Sequence, residues 1–122
     1  MLIDTHCHLD EDAFSGDRGQ CLERARDAGV MRVITIGTTL NSAQKAIELA
    51  EQNPMVFAAI GIHPNYAAVA GEDDWAELIN LAAHPRVVGI GETGLDHDTV
   101  ERRRLGNLPQ FRVLLERQDA RE

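Results

Sequence analysis

Four short apolar runs recur along this chain, beginning near residues 2, 32, 56 and 87, so that a new one starts about every 25 to 30 residues. The stretches between them carry helical periodicity. That rhythm leaves room for one helix between successive strands, as in βα units joined by right-handed crossovers. The runs are apolar throughout, which suits a parallel sheet covered on both faces. The fold class that follows is α/β.

In chain order, the first strand is expected over Met1 to Thr5, followed by a polar loop from Asp10 to Gly16 with Phe14 embedded in it. Asp17 is placed to cap a helix reaching about Ala28, with Cys21, Leu22, Ala25 and Ala28 on one face and Gly29 as its stop. Arg32 to Gly37 reads as the second strand. Thr39 to Asn41 opens a helix through about Gln52, with Ala43, Ala46, Ile47 and Ala50 inward and Asn53-Pro54 ending it. Met55 to Ile62 is the third strand. Asp73 or Asp74 caps a third helix that carries Trp75, Leu78, Ile79 and Ala82 and closes at His84-Pro85. Val87 to Gly91 is the fourth strand, and a last helix starts near Pro109 with Phe111, Leu114 and Leu115 as its apolar stripe.

Each strand leaves its polar residues just past its C-terminus. The first leaves His6, His8 and Asp10, the second Thr38 and Thr39, the third His63, and the fourth Glu92, Asp96 and His97. In a parallel sheet those ends share one edge, where β/α barrels and open α/β sheets place their sites. His6 and His8 are two apart, so an extended backbone points both imidazoles the same way. Neutral imidazole is the commonest nitrogen donor to a metal. Glu92 is the natural third ligand, because a carboxylate directly after the apolar run Val87 to Ile90 is costly to desolvate without a positive partner. The alternatives are a salt bridge from Glu92 to an arginine, and for His63 a simple hydrogen bond within its loop.

Charge agrees with a cation site. The net charge is −8, and it is uneven: residues 1–100 hold 6 Lys+Arg against 16 Asp+Glu (−10), residues 101–122 hold 6 against 4 (+2). An acidic body opposes broad gripping of nucleic acid, which needs Lys and Arg to displace counterions. A polyanionic substrate would need bound metal to offset part of that repulsion, with local help from Arg102-Arg103-Arg104 or none if that run is a solvated loop. Two cysteines make no disulfide framework. No apolar run reaches the length of a membrane span and no signal peptide opens the chain. The expectation is one domain over residues 1–122, cytoplasmic, with no membrane partner.

Three segments, Ile3-Asp4-Thr5-His6-Cys7-His8-Leu9-Asp10, Ile60-Gly61-Ile62-His63-Pro64 and Gly91-Glu92-Thr93-Gly94-Leu95-Asp96, resemble successive motifs of the TatD-type metal-dependent hydrolases (TatD DNases), in that family's order and spacing. The resemblance implies a TIM-like barrel of the amidohydrolase superfamily that hydrolyses phosphodiesters with divalent metal (zinc, manganese or magnesium), one or two ions per complete site, with DNA or another phosphodiester as substrate. By position, His6 and His8 match the first-strand ligands, and Glu92 matches a glutamate that can bridge two ions and is the catalytic carboxylate. His63 matches a substrate-side histidine at the mouth of the site.

Two departures accompany the resemblance. His97 follows Asp96 where the family usually has tyrosine. The family's remaining ligands, two histidines and an aspartate, lie beyond its fourth helix, whereas this sequence ends at Glu122. Roughly 250 residues make eight βα units, so the expectation is the first four units of the barrel, a partial domain from a truncated reading frame or incomplete gene. Its open strand edges would favour self-association, and its own turnover would be low or absent. Two other readings stay open: a catalytically silent α/β fragment with a partial metal site or interaction surface, and an amidohydrolase-type enzyme acting on an amide or phosphomonoester.

Overall fold

The computed structural model describes residues 1–94. Four strands, β1 (Leu2–Cys7), β2 (Val30–Gly37), β3 (Val56–Ile60) and β4 (Val87–Ile90), alternate with three helices, α1 (Arg18–Asp27), α2 (Leu40–Gln52) and α3 (Glu72–Leu81). The strands form one sheet in the order β1-β2-β3-β4, every pair parallel. Sequential neighbours, each joined through a helix, make the opening arc of a β/α barrel. The expected helix near Pro109, together with Asp96, His97 and Arg102-Arg103-Arg104, lies outside the described residues.

The best-specified unit is α2. Thr39 is its N-cap and its hydroxyl accepts from the Ser42 N–H at 3.2 Å, while the Ser42 hydroxyl accepts from the Thr38 N–H at 2.9 Å, satisfying donors that a helix start leaves free. Ala43, Ala46, Ile47 and Ala50 are buried against β2 and β3 as the periodicity predicts. Small residues matter here. A Cβ on Gly37 would lie 2.6 Å from the Ala43 Cα, so only glycine lets the end of β2 pass beneath the start of α2.

Two helix starts differ from expectation. Asp17 occupies the cap position of α1 without capping it; its carboxylate turns to the Arg24 guanidinium, 3.0 Å away. On that helix only Leu22 is buried, whereas Ala28 is exposed. In α3 the cap residue is Gly71, and Asp74 instead reaches back to accept the Gly71 N–H at 3.0 Å. The helix begins early because Glu72, Asp73 and Asp74 all fall in its first turn, where negative charge meets unpaired N–H groups.

The core lies between the sheet and its helices, with Val33, Val56, Ile60, Ile62, Ala46, Trp75 and Leu78 among its buried members. The strands are not all covered on both faces. β2 and β3 are the more buried pair, although Met31 of β2 is 41% exposed; β1 and β4 are outer strands, with Leu2 59%, Ile3 53% and Val88 47% exposed, because within residues 1–94 each has a neighbour on one side only.

Candidate metal centre

The strand ends converge as parallel topology requires. The pairing of β1 with β2 slips between Asp4 and Cys7, a local irregularity of the sort that re-aims side chains, and the His6 N–H folds onto the Asp4 carboxylate at 3.0 Å. The His6 and His8 rings then meet edge to face, 5.2 Å between centroids. Opposite them stands Glu92, two residues beyond β4. One carboxylate oxygen lies 3.9 Å from His6 Nε2 and the other 3.9 Å from His8 Nε2. Cys7, between the histidines, donates its thiol to the Ile34 carbonyl at 3.4 Å, and burial pushes its pKa up to about 11.

The tautomer of His8 follows from its surroundings. Its Nδ1 sits 3.1 Å from the Ile36 carbonyl oxygen. A carbonyl only accepts, so Nδ1 carries the hydrogen, and in the neutral form of the ring the Nε2 lone pair faces Glu92. A lone pair against a carboxylate oxygen is repulsive, and 3.9 Å is too long for a proton to bridge. A positive centre between them resolves the conflict. The separation is below twice the ~2.1 Å typical of a divalent metal and its nitrogen or oxygen ligand, and the donor atoms of all three residues lie within 4.8 Å of one another. An imidazole with one nitrogen held by a carbonyl and the other free is the usual form of a ligating histidine. The donor set therefore fits a metal ion.

The loop carrying His8 is clamped. Leu9 N–H donates to the fully buried Thr35 hydroxyl at 3.0 Å, and Arg18 Nε donates to the Leu9 carbonyl at 2.6 Å. Neither Thr35 nor Arg18 stood out in the sequence as a site residue, although a threonine within an otherwise apolar strand is a signal of a buried hydrogen bond. Thr35→Val keeps the shape and removes the acceptor, leaving the Leu9 N–H without its partner. The expected cost is ~1–3 kcal/mol, seen as a lower urea midpoint, with faster hydrogen exchange at Leu9; an unchanged midpoint would mean that the hydroxyl holds nothing.

Beside the three donors is an open cavity of about 260 Å³ lined by His8, Asp10, Thr38, His63, Tyr66 and Glu92, among others. His63 is thus near the cluster without joining it. Its Nδ1 accepts the Asn65 N–H at 3.1 Å, the loop hydrogen bond foreseen as the plainer alternative, which leaves the proton on Nε2. Thr38 lines the cavity, whereas Thr39 is spent on capping α2. Asp10 has one carboxylate oxygen sealed from solvent with no hydrogen-bond partner among the described residues. No arginine pairs with Glu92 among the described residues; its side-chain neighbours there are the two imidazoles.

The chain matches the family model described as TatD related DNase over residues 3–118. It belongs to that family. It is 39% identical over 97 residues to the metal-dependent hydrolase YabD of Bacillus subtilis, an alignment covering 80% of this chain and 38% of the relative. It is 36% identical over 96 residues to the 3'-5' ssDNA/RNA exonuclease TatD of Erwinia tasmaniensis, covering 78% of this chain and 37% of that protein. The crystal structure of the TatD homologue YjjV from Escherichia coli K12 superposes with a TM-score of 0.83 at 34% identity, covering 97% of this chain and 48% of the other. The chain thus spans less than half the length of these TatD-family relatives, and its fold is that of the first part of their β/α barrel. No helix among the described residues is long and apolar enough to cross a membrane.

Proposed function

We propose that residues 1–122 are a single partial domain carrying the N-terminal share of a divalent-metal site in a TatD-type hydrolase of phosphodiester bonds. The observation that carries this is the meeting of His6, His8 and Glu92, with the lone pair of His8 aimed at the carboxylate. His6, His8 and Glu92 would hold zinc, manganese or magnesium, and Glu92, having two oxygens, would extend to a second ion. When bound, such an ion lowers the pKa of a bound water and offsets charge on the phosphoryl oxygens.

This chain's own residues do the rest. The Ile36 carbonyl fixes the orientation of His8, and the Thr35 and Arg18 clamps hold the loop on which it rides. His63, protonated at Nε2, is a hydrogen-bond donor at the cavity wall, suited to a phosphate oxygen or another acceptor of the substrate. The relatives named as exonucleases act on single-stranded DNA and RNA, which makes a nucleic-acid strand the favoured substrate over an amide or a phosphomonoester. The chain spans 37% of such a relative, so the 122-residue chain would bind metal weakly and turn over little or nothing. The outer edges of β1 and β4, unpaired among the described residues, would pair with a complementary half or with a second copy. Two free thiols suit the cytoplasm.

Calorimetric titration of zinc, manganese or magnesium into the chain and into His6→Ala/His8→Ala tests the ligand assignment. Heat of binding is expected in the first and lost in the second; binding that survives the double substitution unchanged disposes of it. In parallel, single-stranded DNA incubated with the chain is expected to stay intact with or without chelator. Robust chelator-sensitive cleavage would refute the low-turnover half of the proposal.

A further inference from the structure

From its place on the wall of the metal-side cavity, we infer that Tyr66 is a stacking platform for one unpaired base of a nucleic-acid strand whose phosphates lie toward Glu92. The residue is 46% exposed although its neighbours Pro64 and Ala67 are buried, so the loop packs down while its largest side chain stays partly open to solvent. It is not loosely held. The Tyr66 N–H donates to the His63 carbonyl at 2.8 Å, Ala67 N–H to Pro64 at 3.3 Å, and both Val69 and Ala70 N–H groups to the Tyr66 carbonyl at 3.1 Å. The His63 ring abuts the tyrosine ring at 62°, 6.1 Å between centroids. The ring is thereby held at a set angle to His63.

Electrostatics says what that ring is for. Among the described residues, the cavity that Tyr66 shares with His8 and Glu92 has Asp10 and Glu11 on its wall and no lysine or arginine. A strand entering it meets no Lys–phosphate or Arg–phosphate contact from the described residues. Among the described residues only the His63 Nε2–H is offered to a phosphate, so contacts to the bases are where further affinity would arise, and an aromatic face stacks any base without regard to sequence. It also demands that the base be unpaired, because a base within a duplex has no free face. This inference rests on the phosphodiester reading above.

The test uses the full chain, manganese, and two probes of equal length: a short oligothymidylate, and an abasic oligonucleotide with the same phosphates. The oligothymidylate is expected to bind about tenfold more tightly, with the ring resonances of the protein's one tyrosine moving upfield. Tyr66→Ala is expected to erase that difference and Tyr66→Phe to keep it, both melting as the parent does because the side chain is exposed. Equal binding of the two probes, or an undiminished preference in Tyr66→Ala, overturns the stacking role and leaves phosphate binding standing. Failure of both probes to bind, with manganese present, overturns the phosphodiester reading and the stacking role with it.

Discussion

Zinc affinity is expected to fall by about 100-fold or more in Glu92→Gln, while the metal-free protein becomes no less stable. The two halves of this expectation have one cause. Each oxygen of Glu92 lies 3.9 Å from an imidazole Nε2, and at His8 that nitrogen offers a lone pair because its other nitrogen is committed to Ile36. Without metal, the carboxylate faces electron density when the imidazole is neutral. Glutamine has the same shape and no charge, so exchanging them removes that repulsion and is worth at most about 1 kcal/mol in favour of the variant. With metal, the variant loses an anionic ligand. Disturbing even the groups that merely orient ligands costs 10–100-fold in affinity, so a direct ligand belongs at or beyond the top of that range. Calorimetry with zinc and urea unfolding in chelator measure the two quantities separately. A structural ion pair would give the reverse signs, with a weakened metal-free fold and undisturbed zinc binding.

How far the letters alone reach depends on whether a feature is local. The buried face of α2 was legible because Ala43, Ala46, Ile47 and Ala50 repeat at helical spacing within one element. The grouping of His6, His8 and Glu92 was legible from topology, since parallel strands bring their C-terminal ends to one edge whatever the side-chain details. The tautomer of His8 was not, because it depends on the carbonyl of Ile36, 28 residues away, and carbonyls are the same at every position. Asp17 and Asp74 misled for a related reason: an acidic residue near a helix start has several donors to choose from. One chose Arg24, and the other the N–H of Gly71. Tyr66 carried no periodic signal, being a lone aromatic in a loop, and only its exposure beside the cavity marks it.

Arg86→Met is expected to destabilise the chain by about 3 kcal/mol, without changing zinc affinity in the folded fraction. Arg86 precedes β4 and works at the opposite edge of the sheet from the metal centre, roughly 15 Å away by the length of a five-residue strand. Its Nε donates to the Ala50 carbonyl at 2.9 Å, in the last turn of α2, and its Nη2 donates to Asn53 and Pro54 carbonyls at 3.1 Å each and to the Val56 carbonyl. One guanidinium thus gathers the end of α2, the turn after it and the first residue of β3, while its flat face covers the Phe57 ring at 4.1 Å. Hydrogen bonds to a charged donor contribute ~1.5–3 kcal/mol each, but the site is only half-buried and water would replace some of them, which sets the total near the value of one or two. Arg86→Lys separates charge from geometry. An ammonium keeps the favourable charge at the C-terminus of α2 yet lacks the planar fork that reaches several carbonyls at once, so lysine is expected to restore less than half of the loss. Urea midpoints for the three proteins decide it: lysine equal to arginine would reduce Arg86 to a point charge beside a helix end, and an intermediate value would establish the fork as what ties the lower edge of the sheet together.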